Sequence, residues 1–391
     1  MIEQADVVII GGGVNGASIA YHLAARQYGT IVLVEKSGLA DGSSGKSGGI
    51  IRQHYSNPAL IRMAIESRRF FERFDAEVDG HAGFVQNGFL IVVAEKETAA
   101  LKANVTLQRE LGLDVELVAP AQVGTILPGI NTDGVALAAY ERSAGYADPY
   151  GVVTAFAQRA KQSGVTIHIG RQVTGIHVQD GAVRGVETNL GLIRTPLVVN
   201  AAGPWGRHIA RMVGIDLPLT VKRLQELVVK PPTAYSKMNP TVIDLCHLVY
   251  FRPEPGGLVL AGGGITDDPE PVDPDRYKGA DFETLSDVSE RLTRRMPGLA
   301  DAELIRGWAG VITVTPDFHP ILGEAPEVQG FIHAMSCSGH GFKLAPIVGR
   351  LIAELIVDGH TTTLDITPLR PDRFQQGRAL RSRYEDFPIL A

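Results

Sequence analysis

The sequence predicts an α/β fold, α+β overall, organised around a Rossmann-like βαβ unit with chain to spare for a second domain. Three observations carry this. "ADVVIIGGGVNGASIAYHLAARQYGTIVLVEK" near the N-terminus reads as buried strand, glycine turn, helix and second strand. At 391 residues the chain exceeds the size one hydrophobic core usually organises. Residues 165–200 alternate β-branched side chains with turn signals, as a small antiparallel meander does.

Residues 7–10 form an apolar run suited to a fully buried parallel strand. Gly11, Gly13 and Gly16 then make G-x-G-x-x-G, with Val14 and Asn15 at the start of a helix expected over 15–26. The first glycine permits the tight turn and the second admits a pyrophosphate. The third lets helix and strand close on each other. Free N–H groups at the helix start then face the phosphates. A second strand over 31–34 ends at Glu35, 35 − 16 = 19 positions after Gly16, where a carboxylate reaches a ribose hydroxyl. An acid at that place disfavours a 2′-phosphate, and Lys36 follows it. The fingerprint alone does not separate FAD from NAD.

The loop "GSSGKSGGIIRQHY" contributes Ser43, Ser44, Gly48, Gly49 and Ile50, which offer backbone N–H groups and little bulk. Strands of the meander are expected over 167–169, 173–178 (from Val173) and 183–188, with Asp180-Gly181 as a hairpin turn. A buried strand over 197–200 ends in "NAAGPW", where Ala201, Gly203 and Trp205 bring backbone against a cofactor. "ELVVK" and "LVYFRPEPGGLVLAGGG" read as strands, and Tyr250 and Arg252 share one face of theirs. "SCSGHGFKLAP" opens a last helix: Leu344, Ile347, Val348, Leu351, Ile352 and Leu355 recur at helical spacing, with Pro346 in the first turn and Gly359 past the end. Gly339, Gly341 and Phe342 thus sit at a helix N-terminus. Cys337 and His340 lie too close together in a glycine loop to suggest a nucleophile with its base, and Cys337 reads as a small buried filler.

Composition narrows the class. A net charge of −6 suggests no nucleic-acid partner. Two cysteines without a CxxC pair argue against a metal knuckle or dithiol centre and for a reduced, cytoplasmic chain. The acidic residues at the N-terminus are unlike a signal peptide, and no apolar run reaches the ~18 residues of a membrane span.

Taken together, the fingerprint, "DGSSGKSGGIIRQHY", "VVNAAGPW", "VTPDFHPILG", "SGHGFKLAP" and "PLRPDRF" resemble the FAD-dependent D-amino acid oxidase superfamily. The resemblance is narrower to its sarcosine oxidase and dimethylglycine dehydrogenase branch, including β subunits of heteromeric dehydrogenases. It implies a discontinuous FAD-binding domain of glutathione-reductase type at 1–83, 145–220 and 321–391. An inserted substrate domain with a mixed, largely antiparallel sheet would occupy 84–144 and 221–320. It further implies oxidation of a secondary or tertiary amino acid by hydride transfer to flavin N5, giving an imine that hydrolyses. Oxygen, another acceptor or a partner subunit would take the electrons.

By the same resemblance Arg52 and Lys343 clamp the substrate carboxylate, since cations suit it. Tyr250 aims at the pocket and His340 lines the flavin, while His54 is structural. Departures matter too. Ile312 stands where D-amino acid and glycine oxidases carry an arginine, and Gly310 where monomeric sarcosine oxidases attach flavin through Cys. The run "GSSGKSGG" lacks the histidine that dimethylglycine dehydrogenases use. Non-covalent FAD is the expectation, and a Val259 matched to an oxygen-activating lysine favours a dehydrogenase.

Overall fold

The computed structural model describes residues 3–233, 235–236, 238–264, 272–335 and 338–384. Cys337 lies outside the described residues.

A six-stranded sheet runs in the order Ile321–Glu324, Phe331–Met335, Val198–Asn200, Val7–Ile10, Ile31–Glu35, Thr166–Ile169. Every neighbouring pair is parallel except the first. Val7–Ile10 is buried along its length, and its alternation divides the core. Val7 and Ile9 face the helices Val14–Ala25 and Gly341–Asp358, packing with Ile19, Leu23, Leu344, Ile347 and Val348. Val8 and Ile10 face the other way, onto Val183, Val186 and Ile193 of a second sheet. Fully burying such side chains contributes about 1.5–3 kcal/mol each, so this two-sided strand anchors three layers.

That second sheet is the meander Val173–Gln179, Ala182–Thr188 and Gly191–Arg194, closed by Glu3–Gln4. Asp180 and Gly181 both have positive φ, 54° and 72°, as a hairpin turn with right-handed strand twist requires. The strand expected over 167–169 is not part of it: Thr166–Ile169 follows the helix Pro149–Gln162 and pairs parallel with Ile31–Glu35. A helix between two strands makes a crossover, which the meander reading overlooked.

An eight-stranded sheet carries the rest, in the order Glu303–Val314, Thr220–Lys230, Leu258–Gly262, Val249–Glu254, Thr241–Asp244, Phe89–Val93, Leu137–Glu141, Val115–Val118. Only the pair of Thr241–Asp244 with Phe89–Val93 is parallel, so the sheet is mixed and largely antiparallel. The helix Phe282–Arg295 covers it, and Arg295, fully buried, grips Asp244 at 2.7 Å.

The helix Gly341–Asp358 starts earlier than its apolar spacing suggests, so Pro346 falls in its second turn. Proline removes an N–H there and disturbs the ladder. Two serines from other helices bond this stretch: the Ile347 N–H donates to Ser67 Oγ at 3.2 Å, and Ser18 Oγ donates to the Ala345 carbonyl at 2.8 Å.

Candidate active site

A cleft of about 1460 Å³ lies along the carboxyl ends of the parallel strands and reaches the eight-stranded sheet. Ordinary ligand pockets hold about 300–1,000 Å³; this one has room for a dinucleotide and a second small molecule.

The dinucleotide end is a backbone cradle. Gly11 has φ +113°, and a Cβ there would meet the Ala201 carbonyl oxygen at 2.6 Å. The glycine turn and the "NAAGPW" turn therefore touch through backbone alone. A Cβ on Gly16 would stand 1.9 Å from the Gly11 oxygen, so the helix closes on the turn as the third glycine allows. Ser44 Oγ accepts the Val14 N–H at 3.0 Å, tying the second glycine loop to the helix start. Glu35 accepts the Gly12 and Ser37 N–H groups at 2.6 and 2.8 Å, which fixes its carboxylate while lone pairs remain for a ribose. Lys36 stacks 3.8 Å over the Trp205 ring and pairs with Asp275.

The other end gathers cations. Arg52, buried, stacks 4.4 Å over the Tyr55 ring and donates to the His54 carbonyl. Lys343, equally buried, donates from Nζ to the Gly339 carbonyl at 3.1 Å. Burial, then the Arg52 charge, holds the Lys343 ammonium well below the usual lysine range. An anion beside it would favour the charged ammonium, and Lys343 with Arg52 places two cations at this end of the cleft. Tyr250 donates to Glu226 Oε1 at 2.5 Å, and burial followed by that carboxylate pushes its phenol well up.

The cleft wall takes in Gly11, Gly13, Val14, Asn15, Glu35, Lys36, Ser43, Ser44, Gly48, Gly49, Ile50, Arg52, Val173, Ala201, Gly203, Trp205, Tyr250, Gly339, Gly341, Phe342 and Lys343. Two expected site residues stay outside it. Gly16 acts one layer beneath, as just described. His340 is fully buried on the far side of its turn; Tyr55 OH donates to its Nδ1 at 3.1 Å, and its Nε2–H donates to the Phe318 carbonyl at 2.9 Å. Burial, then the neighbouring Lys343 and Arg52, push its imidazole well below the usual histidine range. His340 therefore braces the turn from beneath the cleft wall.

Arg252 shares a strand face with Tyr250, yet the glycine loop lies over it. Its guanidinium donates to the Gly48 and Pro253 carbonyls at 2.5 and 2.6 Å and pairs with Glu254. It braces that loop. His54 is likewise satisfied, by Tyr384 at 2.8 Å and Gln108 at 3.1 Å. Val259 is buried in the core of the eight-stranded sheet and is not among the residues of the cleft wall. Ile312 does line the cleft.

Sequence reasoning passed over two wall residues. Lys46, inside the quoted "GSSGKSGG", reaches the Tyr277 hydroxyl, and its carbonyl accepts from Trp308 Nε1 at 3.3 Å. Glu226, in "LQEL", faces the cleft because the strand alternation turns it inward. A polar residue amid "LVVK" was its available signal. Among the described residues, no group of three or more His, Cys, Asp or Glu could hold a metal ion, and no helix is long and apolar enough to cross a membrane.

Comparison with known proteins agrees with this geometry. Residues 6–355 match the family model described as FAD dependent oxidoreductase (DAO). The chain is 31% identical over 430 residues to FAD-dependent oxidoreductase domain-containing protein 1 of Xenopus laevis, covering 97% of this chain and 85% of that one. It is 30% identical to the mitochondrial sarcosine dehydrogenase of Homo sapiens over 97% of its own length but only 41% of that protein. Among solved structures, L-proline dehydrogenase from P. horikoshii superposes with a TM-score of 0.89 at 31% identity, covering 96% and 99% of the two chains.

Proposed function

The chain belongs to the FAD dependent oxidoreductase family, and from that premise we propose that it oxidises the C–N bond of a secondary or tertiary amino acid, N-substituted or cyclic. The observation that carries the proposal is the pairing, in one cleft, of a backbone-walled dinucleotide cradle with the buried cations Arg52 and Lys343. A cradle that a Cβ at Gly11 would fill, a fixed carboxylate at Glu35 and a helix N-terminus at Gly341 together suit FAD. FAD, when bound, supplies a hydride acceptor at N5.

The chain's own residues do the rest. Arg52 and Lys343 clamp the substrate carboxylate, which fixes the α C–H in one orientation. N–H groups at the start of Gly341–Asp358 supply positive partial charge beside developing negative charge. Tyr250 and Ile312 shape the wall, and an isoleucine in place of a third cation favours N-substituted over primary D-amino acids. The imine product hydrolyses to an oxo acid or aldehyde and an amine. FAD is held without a covalent bond, because Gly310 and the run "GSSGKSGG" offer no thiol or imidazole; release of the yellow colour by acid tests this. Segments 1–83, 145–220 and 321–391 form the FAD unit, and 84–144 with 221–320 the substrate unit. Oxygen, or another acceptor such as a partner subunit, takes the electrons.

The test is anaerobic reduction of the purified yellow protein by sarcosine, N,N-dimethylglycine, L-proline, glycine and D-alanine, followed by air. Bleaching by the N-substituted or cyclic acids is the expected result. Bleaching by D-alanine or glycine alone overturns the proposal, and the rate of colour return in air separates oxidase from dehydrogenase.

A further inference from the structure

Glu226 lines the cleft, yet the clamp just described gives it no part. Its side chain is only 3% exposed. Oε1 accepts the Tyr250 hydroxyl at 2.5 Å, and the Gly48 amide lies against the group. Oε2 is buried with no hydrogen-bond partner among the described residues. Leaving such a group unsatisfied costs about 1–3 kcal/mol or more, which a donor brought by a ligand would offset.

Glu226 is also not the counterion of its nearest cation. Arg252 is committed to two carbonyls and to Glu254 at 2.6 Å. The surrounding construction keeps the carboxylate in place. Its strand neighbours opposite are Trp308 and Gly262, and the Tyr250 ring lies against Gly262, where a Cβ would come within 2.3 Å of it. A Cβ on Gly48 would approach Glu226 Oε1 to 2.8 Å, so only glycine lets that loop pack this close to the carboxylate.

We propose that Glu226 receives the amine of the substrate: Oε2 accepts an N–H of the bound ammonium and then takes its proton. One N–H bond breaks and one O–H bond forms, the ammonium becomes a neutral amine, and the carboxylate becomes a carboxylic acid. No electrons change hands in this step; it frees the nitrogen lone pair for the loss of the adjacent C–H. The inference rests on the reading above that the substrate is an amino acid with a basic nitrogen. Burial, against the opposing Tyr250 and Arg252, pushes the Glu226 carboxyl up to about 7, which suits a proton acceptor at neutrality. The charged and titratable groups around it are Tyr250, Arg252 and Glu254, with Lys46, Arg52 and Lys343 on the same cleft wall.

The test uses the holoenzyme, reduced and kept anaerobic so that nothing turns over. Calorimetry measures the Kd of sarcosine, L-proline and methoxyacetate, which keeps the carboxylate and lacks the nitrogen. The ratio of amine to methoxyacetate affinity cancels titration of Lys343. In the wild type it rises about tenfold per pH unit below about 7 and then levels, because the carboxyl must shed a proton to accept an ammonium. E226Q lowers that ratio about 10- to 100-fold and flattens it, with methoxyacetate binding intact. Y250F keeps the carboxylate, removes its donor, and moves the midpoint to higher pH. An E226Q ratio that keeps the wild-type size and slope, with methoxyacetate still bound, overturns the role of Glu226 alone. Failure of every amino acid to bleach the oxidised enzyme removes the underlying reading as well.

Discussion

Gly16→Ala isolates the backbone cradle from every side chain around it. The added Cβ would stand 1.9 Å from the Gly11 oxygen, while real contacts rarely fall below 3.0 Å, so helix and turn must part by about 3.0 − 1.9 = 1.1 Å. The clash is backbone on one side and Cβ on the other, and no rotamer relieves it. Overpacking of this kind costs about 1–3 kcal/mol, and the rigidity of the contact puts it at the upper end. Unfolding entropy near 2.1 cal/mol/K per residue gives about 0.8 kcal/mol/K for 391 residues, so about 3 kcal/mol lowers Tm by about 4 °C. The displaced helix start also misses its ligand; if the same cost falls on cofactor binding, FAD affinity drops about 100-fold. Scanning calorimetry and the flavin-to-protein absorbance ratio read the two effects. Gly124→Ala is the control: that glycine lies in the helix Pro120–Ile126 with nothing within 4 Å of the added carbon, so Tm holds or rises slightly. A G16A protein with wild-type Tm and full flavin would refute the argument.

Two further outcomes follow from the geometry. Lys343→Gln removes a charged donor from the carboxylate clamp, worth about 1.5–3 kcal/mol, so kcat/KM falls roughly 10- to 150-fold while flavin content stays near wild type; steady-state kinetics check both. Asp317 and Arg373 form a buried two-point pair at 2.8 and 2.9 Å that ties the C-terminal segment to the body. Asp317→Ala strands the guanidinium and costs about 3–5 kcal/mol, seen as a lower denaturation midpoint and faster proteolysis beyond residue 365.

The N-terminal fingerprint was legible because each part is local: four buried β-branched residues, three glycines at fixed spacing, and an acid at the end of the next strand. The meander turn at Asp180-Gly181 was legible for the same reason. What sequence hid was partnership across distance. His340 looked like a ligand residue because its two hydrogen-bond partners, Tyr55 and Phe318, lie 285 and 22 positions away. Arg252 and Tyr250 share a strand face as the period of two requires, yet only Tyr250 reaches the cleft, since the loop at Gly48 lies over its neighbour. Thr166–Ile169 carries the same β-branched pattern whether it joins a meander or a parallel edge. Glu226 was hidden for a different reason: a polar residue beside "LVVK" marks the position, but nothing local says which space the strand alternation turns it toward.

The strand order of the six-stranded sheet has a consequence for how the molecule is made. Val7–Ile10 is flanked by Ile31–Glu35 and by Val198–Asn200, and the latter in turn needs Phe331–Met335. Between residues 10 and 198 lie 198 − 10 = 188 positions of synthesis, about 10–40 s at ribosomal speed. Once Ile31–Glu35 is made, the strand that carries the glycine turn has one edge with a partner and one edge bare until residue 198. A bare, fully apolar edge invites pairing with another chain. Slowing elongation between residues 35 and 198 should therefore cost more soluble yield than slowing it beyond residue 335.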